Sequence, residues 1–127
     1  MPWCLPDTVP GRMSATELLA WGAIVHLAVD WLLQNEWMAE NKASLRHPAA
    51  YVHSGLHAAA LLLVFPPLAA LALGVVHLLV DTRKPLEWWA GVLGQTVEGD
   101  VAVPLAIWRD QVLHLTTIAL AALIVSA

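Results

Sequence analysis

Polar residues interrupt the apolar stretches of this chain in one repeated way. Four stretches each carry a pair of metal-competent residues spaced i, i+4: His26/Asp30, His53/His57, His77/Asp81 and Asp110/His114. That spacing sets both side chains on one helix face, a turn apart. Five of the six histidines fall into these pairs, and few other ionisable residues occur away from the ends of the stretches. Groups of this kind cost several kcal/mol to bury without partners. Four coincident pairs therefore predict a shared polar interior.

Local signals divide the chain into four helices. Ser14 followed by Glu17 forms a capping box ahead of a first helix over residues 16–40. A polar loop over 41–47 leads to Pro48, which suits the first turn of a second helix over 49–64. Phe65, Pro66 and Pro67 end that helix in a tight hairpin into a third over 68–83. Residues 85–103, with Trp88, Trp89, Gly91, Gly94 and Gly99, predict an interfacial segment, and a fourth helix over 104–126 follows. Residues 1–13 hold Pro2, Pro6 and Pro10 and predict a flexible tail before a single domain over 14–127. The tail lacks the basic start and apolar centre of a signal peptide.

Composition assigns the surroundings. The chain of 127 residues is 59% hydrophobic and 13% charged, against about a quarter charged for a soluble domain. The expected fold is an all-α polytopic membrane protein, with four transmembrane helices in a compact bundle. The two middle helices, at about 24 Å each, are short for a hydrocarbon core of about 30 Å. A soluble four-helix bundle is the alternative, and the unbroken apolar run at 115–127 argues against it. Lys42, Arg46, Arg83, Lys84 and Arg109 fall on one side of the bundle and Arg12 on the other. The positive-inside rule then predicts a multi-pass protein of the inner membrane, with loops 1–2 and 3–4 cytoplasmic and both termini outside. Most of the seven tryptophans lie near span ends, as in an aromatic belt, and Trp31 beside Asp30 is the one expected to line a pocket. A net charge of −4 without any basic run excludes a nucleic-acid partner. The single cysteine, Cys4, can form no internal disulfide.

The two halves echo each other. Residues 25–30 and 76–81 differ only at Ala28 and Leu79, the mark of a two-helix internal repeat about an axis along the membrane normal. Alternating helix direction places His26, His57, His77 and His114 in one layer, beneath a shallower layer of Asp30, His53, Asp81 and Asp110. Imidazole with carboxylate suits Zn, Fe or Mn better than Mg or Ca. The expected cofactor is one or two transition-metal ions, zinc or iron first and manganese after them. Haem held by two of the deeper histidines is a weaker reading, and a hydrogen-bonded cluster that glues the helices is the plain alternative. Asp30 and Asp81 are the candidate catalytic bases, Gln34 and Gln111 could orient a bound water, and Arg83 and Lys84 could hold an anionic head group. Asn41 and Lys42 read as the end of the first helix, His47 carries no ligand role, and Ser54 reads as a packing residue.

His26, Asp30, Trp31 and Gln34, followed by Trp37, Met38, Ala39, Glu40, Asn41 and Lys42, resemble the start of a family of bacterial and phage membrane proteins, domain-of-unknown-function family 3307. His53/His57, the His77, Asp81 and Lys84 string, and Asp110, Gln111 and His114 fit the same pattern in the same order, over roughly residues 20–120. The resemblance implies the membrane fold and the polar positions and assigns no reaction. A fainter similarity of plan links it to small membrane proteins labelled metal-dependent hydrolases, by analogy only.

Two functions follow. One is a metal-dependent hydrolase acting on a membrane-partitioned, lipid-linked anionic substrate. The other is a non-enzymatic structural or accessory subunit of a larger membrane complex or homo-oligomer, its cluster pinning the helices. A proton or metal conduit is a variant of the second.

Overall fold

The structure is a computed structural model that describes residues 11–127. Cys4, Trp3 and most of the expected N-terminal tail lie outside the described residues. Six α-helices and no strand occur among the described residues.

Helix α1 (Ala15–Ala28) starts at the expected capping box. Ser14 Oγ accepts from Glu17 N at 3.3 Å, and Glu17 Oε2 accepts from Ser14 N at 2.8 Å. The helix then widens into a π-turn, Val29–Leu33, which carries Asp30. Single π-turns of this sort recur at functional sites. The expected unbroken helix over 16–40 is corrected here. Gln34 is extended, and Asn35 Oδ1 accepts from Met38 N at 2.9 Å to start a separate short helix, α2 (Glu36–Asn41). A side-chain cap at Asn35 competes successfully with continuation of the helix.

Helix α3 (Pro48–Leu61) begins with proline at N1, and His47 Nδ1 caps it by accepting from Ala49 N at 3.2 Å. The ring of Trp37 lies against that of His47. Pro67 opens α4 (Pro67–Asp81) after the tight turn. Arg83, at φ +65°, turns the chain sharply into α5 (Lys84–Leu93), the amphipathic part of the expected interfacial segment. A non-glycine residue in that left-handed region costs about 1 kcal/mol or more. Helix α6 (Ala102–Ser126) ends the chain.

Helices α1, α3, α4 and α6 form a ring in which each packs on two neighbours, α1 with α3 and α6, and α4 with α3 and α6. The matching segments 25–30 and 76–81 thus sit on diagonal helices. At one end a small apolar core gathers Leu18, Leu61, Phe65, Ala70, Leu73, Ile118 and Ala122. Two glycines allow the close crossings: a Cβ on Gly22 would lie 2.8 Å from Ile118 Cγ2, and one on Gly74 would lie 2.6 Å from Ala58 Cβ. At this same end Arg12 donates to the Val125 carbonyl at 2.7 Å.

Large apolar side chains face outward while histidines lie inside. Leu63 and Leu68 are 83% and 80% exposed while His53 and His57 are 0% exposed. Soluble domains do expose scattered apolar residues, but they do not commonly reserve the interior for histidine. By length and hydropathy one helical stretch, Ala15–Leu33, suffices to cross a membrane (19 residues, mean hydropathy 1.3). A membrane span, a signal sequence and the core helix of a soluble protein all meet that criterion. Helices α3 and α4 have 14 and 15 residues, and α6, at 25 residues, carries Arg109 and Asp110 in its first half. The expectation of four crossing helices is therefore met by length and hydropathy in one of them.

Candidate metal centre

Each i, i+4 pair keeps its partner on one face. Nε2 of His26 lies 3.4 Å from Asp30 Oδ2, Nε2 of His77 lies 3.1 Å from Asp81 Oδ2, and Nε2 of His114 lies 3.5 Å from Asp110 Oδ1. The rings of His53 and His57 are 4.8 Å apart. All four faces turn into the ring of helices, so the eight expected residues form one cluster. The deep imidazoles share a layer as expected, with ring centroids 3.6 Å apart for His57 and His77 and 4.2 Å for His77 and His114.

The second layer interlocks with the first instead of lying above it. Asp30 Oδ1 reaches across to the neighbouring helix α3, to His57 Nε2 at 3.0 Å and His53 Nε2 at 3.1 Å. Asp81 Oδ1 reaches His114 Nε2 at 3.1 Å, and Oδ2 reaches His53 Nε2 at 3.3 Å. His53 thus stands between two carboxylates contributed by the diagonal helices. Asp110 is only half-buried and belongs to the rim.

Gln111 and Lys42 occupy places that the sequence left to lesser roles. Gln111 is buried, donates from Nε2 to Asp30 Oδ2 at 3.0 Å, and holds Oε1 3.1 Å from His26 Nε2. Gln111 Nε2 also donates to Asp110 Oδ2 at 3.3 Å. Lys42 is no mere helix end. Its Nζ lies 3.7 Å from Asp30 Oδ1, 3.6 Å from Asp81 Oδ2 and 3.4 Å from His53 Nε2. The helix break at Gln34–Asn35 is what folds α2 back and delivers this ammonium. An ionisable residue one loop away from a buried cluster is the signal that could have found it.

Above the carboxylates lies a vestibule of about 570 Å³ between the π-turn, α2, α5 and the start of α6. Asp30, Asp81, Asp110, Gln111 and Lys42 line its inner side, and Trp31, Gln34, Arg83 and Arg109 line it further out. Trp31 thus lines a pocket as expected. Arg109 Nη1 donates to the Thr96 carbonyl at 2.9 Å, tying α6 to the loop after α5. Gln34 Oε1 is buried there without a protein partner. Lys84 stands exposed on the first turn of α5, outside the lining, because the left-handed turn at Arg83 swings it away. On the far side of the imidazoles a cavity of about 10 Å³ touches Thr117 and Ile118, enough for about one water. Ser54 Oγ donates to the Tyr51 carbonyl at 3.3 Å and takes no part in the cluster.

Hydrogen bonds alone do not satisfy this arrangement. A ring nitrogen offers one proton or one lone pair, yet His53 Nε2 faces two carboxylates and an ammonium. His77 Nε2, though 3.1 Å from Asp81 Oδ2, is directed so that no hydrogen bond forms. Three overlapping ligand sets could hold a metal ion: Asp30 with His53, His57 and His77; His26 with His77 and His114; and Asp81 with Asp110 and His114. Within each set the ligand atoms all lie within 4.8 Å of one another. Bonds of about 2.1 Å to Zn place neighbouring ligand atoms about 3.0–3.4 Å apart, and the imidazole–carboxylate separations here are of that size.

Residues 18–127 match the family described as Protein of unknown function (DUF3307). The chain belongs to the DUF3307 family. The match reaches every helix of the ring and includes every residue of the cluster, so the cluster lies within the DUF3307 domain. No curated protein and no solved structure matches the DUF3307 chain.

Proposed function

We propose that this chain is a membrane-embedded metal protein whose His/Asp centre serves hydrolysis of an anionic, membrane-partitioned substrate. The carrying observation is the convergence of five imidazole Nε2 atoms on two carboxylates in an interior from which water is almost entirely excluded. The apolar exterior of the ring supports a bilayer as its surroundings. The two short helices would then be accommodated by local thinning or by burial against their longer neighbours. Lys42, Arg83 and Arg109 gather at the vestibule while Arg12 lies at the other end. That asymmetry supports a cytoplasmic vestibule, external termini and an inner-membrane location. The diagonal placement of 25–30 and 76–81 supports descent from a duplicated helix pair.

Zinc or iron, with manganese after them, suits the donor set. A bound ion would supply Lewis-acid activation of a water. The chain's own residues divide the remaining work. Asp30 and Asp81 reach both the centre and the vestibule and would accept a proton. Arg83, Arg109 and Lys42 would hold the anion, and Gln34 and Gln111 would orient water at the wall. The full burial of His53 and His57 favours a second reading, a cluster that only pins four helices within a larger assembly.

The test is elemental analysis of protein extracted in detergent without chelator, paired with lipid-phosphate and ester hydrolysis assays with metal added and removed. At least about half an ion per chain is expected, together with metal-dependent turnover. A metal-free protein whose thermal stability is indifferent to chelator would leave the pinning reading. Metal without turnover on any substrate would retain the centre and remove the hydrolase.

A further inference from the structure

Lys42 presents its ammonium to the one part of the cluster where both carboxylates meet. The three distances from Nζ, at 3.4–3.7 Å, are longer than a lysine–carboxylate hydrogen bond, and its side chain is 16% exposed. The ammonium therefore sits across a pocket formed by Asp30 Oδ1, Asp81 Oδ2 and His53 Nε2, gripping none of them tightly. His53 Nε2 lies 3.1 Å from Asp30 Oδ1 and 3.3 Å from Asp81 Oδ2, separations of the size found between ligand atoms on one metal ion.

Charge points the same way. The cluster holds three carboxylates, Asp30, Asp81 and Asp110, and one ammonium, with imidazoles that bind metal in the neutral form. One divalent ion makes that set neutral. A second ion beside the ammonium would leave a double positive charge in a water-poor interior, which is strongly unfavourable. With the ammonium removed, two ions leave a single charge, the same magnitude that one ion leaves.

We propose that Lys42 is a built-in cation that fills the outer cation position of the centre, so that the protein takes one metal ion, seated on the histidine side among His26, His77 and His114. This rests on the metal-centre reading and adds its stoichiometry. The position of Lys42 at the C-cap of α2, beyond the helix break, makes the occupancy a property of the fold and not of metal supply.

The experiment measures zinc per chain in detergent-solubilised protein equilibrated with excess zinc and freed of loosely held metal, for wild type, Lys42→Met and Lys42→Arg. One ion is expected in wild type and in Lys42→Arg, and two in Lys42→Met, which keeps the length of the side chain without its charge. Two ions in wild type overturn the inference whether or not the variants fold. One ion in all three overturns it while leaving the metal centre standing. No ion in wild type overturns the metal-centre reading and the inference together.

Discussion

Replacing Asp81 by Asn removes one charge from the centre of the bundle with almost no change in shape. The carboxylate is 4% exposed and lies within 3.1–3.6 Å of His77, His114, His53 and Lys42. Removing one charged member of a buried, paired set costs about 3–5 kcal/mol, and here it deprives His77, His114 and His53 of their carboxylate as well as Lys42. The amide also turns an NH2 group toward nitrogens that had faced an acceptor. Lys84→Ala serves as the control, since Lys84 is exposed and a surface substitution usually stays within about 0.5 kcal/mol. For a domain of this size a loss of 1 kcal/mol lowers the midpoint by roughly 3–6 °C. Asp81→Asn should therefore melt roughly 10–25 °C below wild type in detergent, and Lys84→Ala within a few degrees of it. Both should be compared with and without chelator, because a bound ion adds its own stabilisation to the wild type. If Asp81→Asn melts with wild type in chelator, the carboxylate does not hold the cluster together. If Lys84→Ala is the more damaging, the geometry around Arg83 is wrong.

Two packing predictions address the scaffold. Gly74→Ala should destabilise by about 1–3 kcal/mol, since its new methyl meets Ala58 Cβ at 2.6 Å, whereas Gly55→Ala, on an exposed face of α3 with nothing within 4 Å, should stabilise by about 0.5–1 kcal/mol. Equal effects in thermal unfolding would refute the close α3–α4 crossing. Asn35→Ala removes the cap on Met38 N and should cost about 1 kcal/mol. It should also raise zinc bound per chain toward the value for Lys42→Met, because Lys42 is the C-cap of α2. A variant that loses stability yet keeps wild-type zinc content would show that the break does not position the lysine.

The sequence by itself determined that the four i, i+4 pairs share one interior cluster. Spacing of i, i+4 within apolar helices leaves a polar pair only one common face, and four such faces have only one another to satisfy them. The capping box at Ser14, proline at the start of α3, and the hairpin at Phe65 were legible because each acts through its immediate neighbours. The break at Gln34 was not, because an Asn cap and a continuing helix are close in free energy and tertiary packing decides between them. From that break follow the return of α2 and the place of Lys42, which no local pattern encodes. Tertiary structure also decided that each carboxylate reaches across to histidines of other helices, so that the two expected layers interlock. It brought Gln111 into the interior and turned Lys84, a candidate for holding an anionic head group, away from the vestibule. Periodicity fixes the face on which a side chain lies, but rotation and depth against three other helices fix what it touches.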